Sequence, residues 1–200
     1  MRRWRGWLRA SGGAVTRRSE SPHIGYYSGN VRDYNGTGKW STVEVRKRYL
    51  RYCDLLNVRE VRVLMPVQHK EGDRIWIHPI MDEVIRGIEA GDPACMTIGV
   101  EFVEEDDFFA FGRILKSNTA RALRRAPLPE GLKARLRQRI VSMLLAGMVP
   151  REFREYWKLL QDIGEAEDWS RLDAEIPRDN PYEMRYYDRL RPTAGMPAEG

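Results

Sequence analysis

The chain has 200 residues, with 34 lysines and arginines against 29 acids and a pI near 9.3. That length suits one domain with a proper core and some tail, and a hydrophobic share of 42% beside a charged share of 32% is that of an ordinary soluble globular protein. No apolar run approaches the roughly 20 residues a membrane-spanning helix needs, which excludes a helical membrane protein.

The charge excess is concentrated at the start. Residues 1 to 20 hold six arginines against the single acid Glu20, and the remaining chain is electrically balanced. "MRRWRGWLRASGGAVTRR" lacks the apolar stretch of a secretory signal and reads as an unstructured start. Its rival reading is a basic arm for an anionic membrane or RNA, or an organelle presequence. The two cysteines, Cys53 and Cys95, form no Cys-x-x-Cys pair and fall on apolar helix faces, which points to a reducing, cytoplasmic setting.

In chain order, residues 1–40 read as a basic, glycine-rich, largely irregular lead-in with a turn at Asn35-Gly36. Residues 41–164 read as a helical domain and residues 165–200 as a tail. Ser41-Thr-Val-Glu44 is a capping box, and Val45, Tyr49, Tyr52, Cys53 and Leu56 follow at helical spacing until Asn57. "VREVRVLMP" over 58–66 fits either a strand or a short helix, and the helix is preferred; Val67 to Ile77 reads as a loop or brief hairpin. Ile77, Ile80, Met81, Val84, Ile85 and Ile88 trace one helix face up to Gly91. Asp92-Pro93 restarts the chain as N-cap and first helical residue, with Gly99 placed for a close neighbour.

Further helices are expected over about 113 to 125, from Pro129 to Gly147, and from Pro150 to Gly164. A short one opens at Asn180-Pro181 and runs near 181–190. Short connections imply antiparallel neighbours, so the fold class is all-α: a compact multi-helix domain with HEAT-like helix-pair layers as a geometric analogy only, because no residue signature repeats.

Gly36, Gly38 and Lys39 before a helix start invite a phosphate-loop reading. A Walker loop needs glycine where Asp33 stands and Ser or Thr where Trp40 stands, so only a generic anion contact at Lys39 and Ser41 survives. The acidic run containing Glu101, Glu104 and Glu105, followed by Asp106 and Asp107, is a weak divalent-metal candidate with no EF-hand spacing, and no cofactor is implied. The histidines His23, His69 and His78 sit in no catalytic motif, and His78 reads as a helix-start residue.

The densest charge lies downstream, where Arg113, Lys116, Arg121, Arg124, Arg125, Lys133, Arg135, Arg137 and Arg139 face the single acid Glu130. Such a block suits an acidic protein partner, phosphates, or internal pairing. The preferred reading is a non-enzymatic interaction or adaptor protein using this surface. The alternative is a sequence-nonspecific nucleic-acid binder, and the third reading is a divalent-metal carboxylate enzyme.

Overall fold

Gly87 and Gly99 set the spacing of the helices around them. A Cβ at Gly87 would lie 2.3 Å from the Cys95 sulfur, and one at Gly99 would lie 2.6 Å from the Ile88 Cδ1, so three successive helices pack backbone against side chain there. In the computed structural model, which describes residues 26–105 and 111–190, these are α2 (Ile80–Glu89), α3 (Pro93–Glu104) and α4 (Gly112–Arg125). α1 (Thr42–Leu55) precedes them, and α5 (Glu130–Leu145), α6 (Phe153–Ile163), α7 (Ala166–Glu175) and α8 (Pro181–Leu190) follow.

Helices two apart in the chain pack on each other. α1, α3, α5 and α7 form one row and α2, α4 and α6 a second, with α2 on α3, α3 on α4 and α5 on α6 joining the rows. This is the helix-pair layering expected from the short connections. α3 lies at the seam and is buried on nearly every side, from Ala94 through Val100 and again at Phe102 and Val103.

The helix ends follow their local chemistry. Asp92 Oδ1 accepts from the Ala94 and Cys95 N–H groups at 2.9 and 3.2 Å and caps α3. α1 ends where Asn57 turns left-handed (φ 50°) and the Val58 N–H reaches back to the Cys53 carbonyl at 2.9 Å, closing a Schellman motif. The Ser41 cap is half a capping box. Its Oγ accepts from Glu44 N at 3.4 Å, but its own N–H goes to the Gly38 carbonyl and the Glu44 carboxylate pairs with Lys47.

The fold is mostly helical without being strictly all-α. Within the lead-in read as irregular, β1 (Tyr26–Ser28) and β2 (Val31–Asp33) pair antiparallel. The tight turn there is at Gly29 (φ 57°) rather than at Asn35-Gly36. The 67–77 stretch is a hairpin of β3 (Gln68–Glu71) and β4 (Arg74–Ile77), and β4 lies parallel to β2, giving the order β1-β2-β4-β3. Ile77 therefore ends a strand, α2 starts at Ile80, and His78 precedes the helix. β-branched and aromatic residues with two glycine turns were enough for strands that helical periodicity masks.

The expected helix over 58–66 does not form. Among the described residues the backbone of 59–66 makes one hydrogen bond, from Arg62 N–H to the Tyr49 hydroxyl at 2.9 Å, and only Leu64 is buried. That hydroxyl in turn donates to Asp92 Oδ2 at 2.8 Å, and burial pushes the phenol pKa far up, so it stays a donor. Beyond Ile163 the chain is more structured than a tail, with Leu172, Ile176 and Tyr187 joining the core.

The sheet packs mainly within itself. Asn35 fastens it to the helices: its Oδ1 accepts from Ile80 N at 2.6 Å and its Nδ2 donates to Asp33 Oδ1 and the His78 carbonyl at 2.7 and 3.3 Å. Asn35 thus caps α2 from 45 residues away in sequence. Asn35→Ala is expected to lower stability by about 1 kcal/mol, as loss of a cap does, measured by urea unfolding. Gly87→Ala, despite its better helix propensity, is expected to cost about 1–3 kcal/mol through overpacking on Cys95. A Gly87→Ala protein as stable as the parent would mean that α2 and α3 are not held this closely.

Candidate partner-binding surface

The nine basic residues of the 113–139 block do not form one open face. Arg135 Nε donates to Glu104 Oε1 at 2.8 Å and its second nitrogen meets the other oxygen, a two-pronged pair between α5 and α3. Arg137 is only 9% exposed and meets Glu130 at 2.7 Å and Glu165 and Asp168 at 3.2 Å, while also donating to the Ile163 carbonyl at 3.3 Å. Its planar fork joins α5 to the end of α6 and the start of α7, a task lysine could not do. Lys133 and Arg139 are half-buried and form no ion pair with a described residue.

On α4, Lys116 is turned inward and buried. Arg121 reaches Glu155 at 3.2 Å, Arg124 reaches Asp162 at 3.5 Å and Arg125 reaches Glu89 at 2.7 Å. Burial alone would raise the Glu155 pKa. The Arg121 hydrogen bond and charge, with Lys158, outweigh it and hold the carboxyl below its ordinary range. Arg113 is exposed and pairs with no described carboxylate.

The acidic candidates are likewise engaged, and on different partners. Glu101 pairs with Arg48 at 3.2 Å and accepts from the Tyr52 hydroxyl, whose pKa burial and this carboxylate push up. Glu104 goes to Arg135, and Glu105 goes to Lys39 at 2.9 Å. The shared carboxylate face read from the sequence is thus divided among three cations. Among the described residues no group of three or more His, Cys, Asp or Glu side chains is gathered for a metal. Lys39 meets the chain's own carboxylate, and Ser41 spends its hydroxyl on the helix cap. Asp106, Asp107 and the arginine-rich residues 1–20 lie outside the described residues.

A trough remains along the outward side of the even row. Between α2 and α4 it is a cleft of about 450 Å³ lined by Asp82, Ile85, Arg86, Glu89, Asn118, Arg121 and Arg125. Between α4 and the start of α6 it is a cleft of about 320 Å³ lined by Arg113, Ile114, Ser117, Asn118, Arg121, Arg151 and Glu152. Asn118 and Arg121 line both, so the outward face of α4 is a common floor. At the second cleft three arginines face one acid, and Ile114 stands exposed among them. Arg86 and Arg151 escaped the sequence reading because neither belongs to the dense basic run; their only signal was a position off the apolar stripe. No protein-family model, curated protein or solved structure matches the chain.

The sheet carries a second group that the sequence did not disclose. Cross-strand register sets Arg32 opposite Trp76 and Trp76 opposite His69, and the Arg32 guanidinium lies 4.5 Å from the indole centre. The His69 and Trp76 rings stack at 5.8 Å, and His69 Nδ1 lies 2.9 Å from His78 Nε2. With the two imidazole centres 5.0 Å apart, those nitrogens lie close to the line joining the rings and face each other as donor and acceptor.

The depressed Glu155 carboxyl has a defined pH signature. A group held below its unfolded pKa stabilises the fold above the ordinary value of 4.5 and loses that contribution as pH falls through the folded value. Glu155→Gln is expected to lower stability by about 1 kcal/mol at neutral pH, since Arg121 is half-exposed and partly screened. The gap between parent and variant should close under acid, read by urea unfolding at both pH values; a gap independent of pH would mean that the ion pair contributes nothing.

Proposed function

We propose that this chain is an interaction module that holds an acidic segment of a partner protein along the trough of the even helix row. The observation that carries this reading is the cleft where Arg113 and Arg151 flank the exposed Ile114, with Arg121 beside them already paired with Glu155. Layered helix pairs present long open faces, and a row of side chains on one layer is the usual binding surface of such architectures. Guanidinium groups read carboxylates in two-pronged fashion, and an apolar residue among them supplies an anchor that charge alone does not.

The same cleft favours a protein over a nucleic acid. Binding along a phosphate backbone draws its free energy from cations that release condensed counterions. Here Arg121, Arg124, Arg125, Arg135 and Arg137 each already face a carboxylate of the chain. Recruiting them to phosphate would cost the pairs they now make.

The test is fluorescence anisotropy of the full chain with two labelled probes across a salt series: a glutamate-rich peptide carrying one central leucine, and a mixed-sequence single-stranded RNA. The peptide is expected to bind at low salt, and Arg113→Glu with Arg151→Glu should weaken it at least about tenfold, or ~1.4 kcal/mol. Peptide binding untouched by the double variant, or none at low salt, overturns the reading. RNA binding with a steep salt slope and no peptide binding would put nucleic acid in its place.

A further inference from the structure

The two clefts of the trough differ in the charge left over in each. In the second, Arg113 and Arg151 pair with no described carboxylate and outnumber Glu152, which is 9% exposed. In the first, each arginine is already matched: Arg86 meets Glu83 at 2.5 Å, Arg121 meets Glu155 at 3.2 Å and Arg125 meets Glu89 at 2.7 Å. The charged group left over there is an anion. Asp82, half-buried in the cleft wall, makes no ion pair or side-chain hydrogen bond with a described residue. Burial raises its pKa, and the charges of His78 and Arg86 offset that only in part. A carboxylate partly withdrawn from water with no cation of its own is a place where an incoming cation gains.

The distance from Asp82 to the apolar anchor follows from the helix layer. The Arg125–Glu89 pair joins residues 36 apart, and Asp82 and Asn118, at the same separation, line one cleft, so α2 and α4 run side by side in the same direction. Ile114 lies one turn before Asn118, about 6 Å along the α4 axis, and one helix spacing of about 8–10 Å across. Asp82 and Ile114 are thus roughly 10–12 Å apart, which an extended chain covers in three or four residues of ~3.3 Å each. Arg151 approaches Ile114 from the α6 side of α4, opposite to α2.

We propose that the segment held by the trough is mixed in charge: its carboxylates lie on Arg113 and Arg151, and one lysine or arginine, three or four residues from the apolar anchor, sits on Asp82. Resting on the trough reading above, this gives the partner a charge order as well as a sign. A carboxylate at the Asp82 position meets a like charge, so the first cleft rejects a wholly acidic segment while the second cleft selects for acid. A ligand ammonium there donates charge-assisted hydrogen bonds to Asp82 and displaces no ion pair that the described residues already make.

The measurement is fluorescence anisotropy of the full chain with the glutamate-rich, single-leucine peptide and a set in which one glutamate becomes lysine, about two to five positions from the leucine on either side. The replacement changes net charge equally at every position, so the comparison reads position alone. A lysine three or four residues away, on one side only, is expected to bind at least about tenfold tighter than the wholly acidic peptide. In Asp82→Asn that advantage should shrink to about twofold or less, and in Asp82→Lys it should reverse, both variants keeping the parent far-UV circular dichroism. The position scan uses the parent chain, so it stands whether or not the variants fold. A flat profile along the peptide, or an advantage retained in Asp82→Asn, overturns the proposal; binding of the wholly acidic peptide that still depends on Arg113 and Arg151 would then leave the trough reading in place. No binding of any peptide at low salt removes both.

Discussion

The burial of α3 is the constraint on which the layers depend. Its residues face α1 and α5 in their own row and α2 and α4 in the other, which leaves almost no side for water. Such a helix holds its neighbours in place only if they come close. Gly87 and Gly99 provide that closeness, one receiving the Cys95 sulfur and the other the Ile88 methyl. The Asp92 carboxylate divides its oxygens between the α3 cap and the Tyr49 hydroxyl, so the start of the central helix is tied to α1 and, through Arg62, to the segment beyond it. Core packing and that segment are therefore mechanically connected.

Charge in this protein acts mostly across helix boundaries. Glu104 with Arg135 joins α3 to α5, Glu155 with Arg121 joins α6 to α4, and Arg137 gathers carboxylates from α5, α7 and the turn before α7. Pairs of this kind add little each where water reaches them, and more where a fork is held between buried elements. Their consequence for function is subtractive: each pair withdraws a cation from the surface. What remains at the trough is a short cationic group around an apolar anchor, a shape suited to a segment of protein more than to a long phosphate track.

The proposed binding surface lies at the margin of the layers. The α4 floor belongs to the even row. Segment 58–66 begins where α1 ends and the chain has yet to reach β3. Among the described residues, Asn35 and the Tyr34–Phe111 ring contact at 4.9 Å tie the small sheet beyond it to the rest of the fold.

Several elements were legible from the residues alone because their signals are local. Asp92-Pro93, Gly91 and Asn57 mark helix ends by backbone chemistry that acts within a few positions, and the apolar stripes of α2, α5 and α6 follow the helical period. The short strands were not legible: three or four residues carry too little periodicity, and β2 finds β4 only after the intervening α1 returns the chain. Segment 58–66 fitted two periods, and the choice fell to Tyr49 and the core beneath Leu64, which are tertiary facts. The basic block was legible as composition and misleading as a surface, because composition counts charges while only the folded chain decides which carboxylate stands beside each. By itself the sequence determined most of the helices, several of their ends and the balance of charge, all set within a few residues; the tertiary structure alone decided which cations stay open and how the short strands pair, because both depend on neighbours distant in the chain.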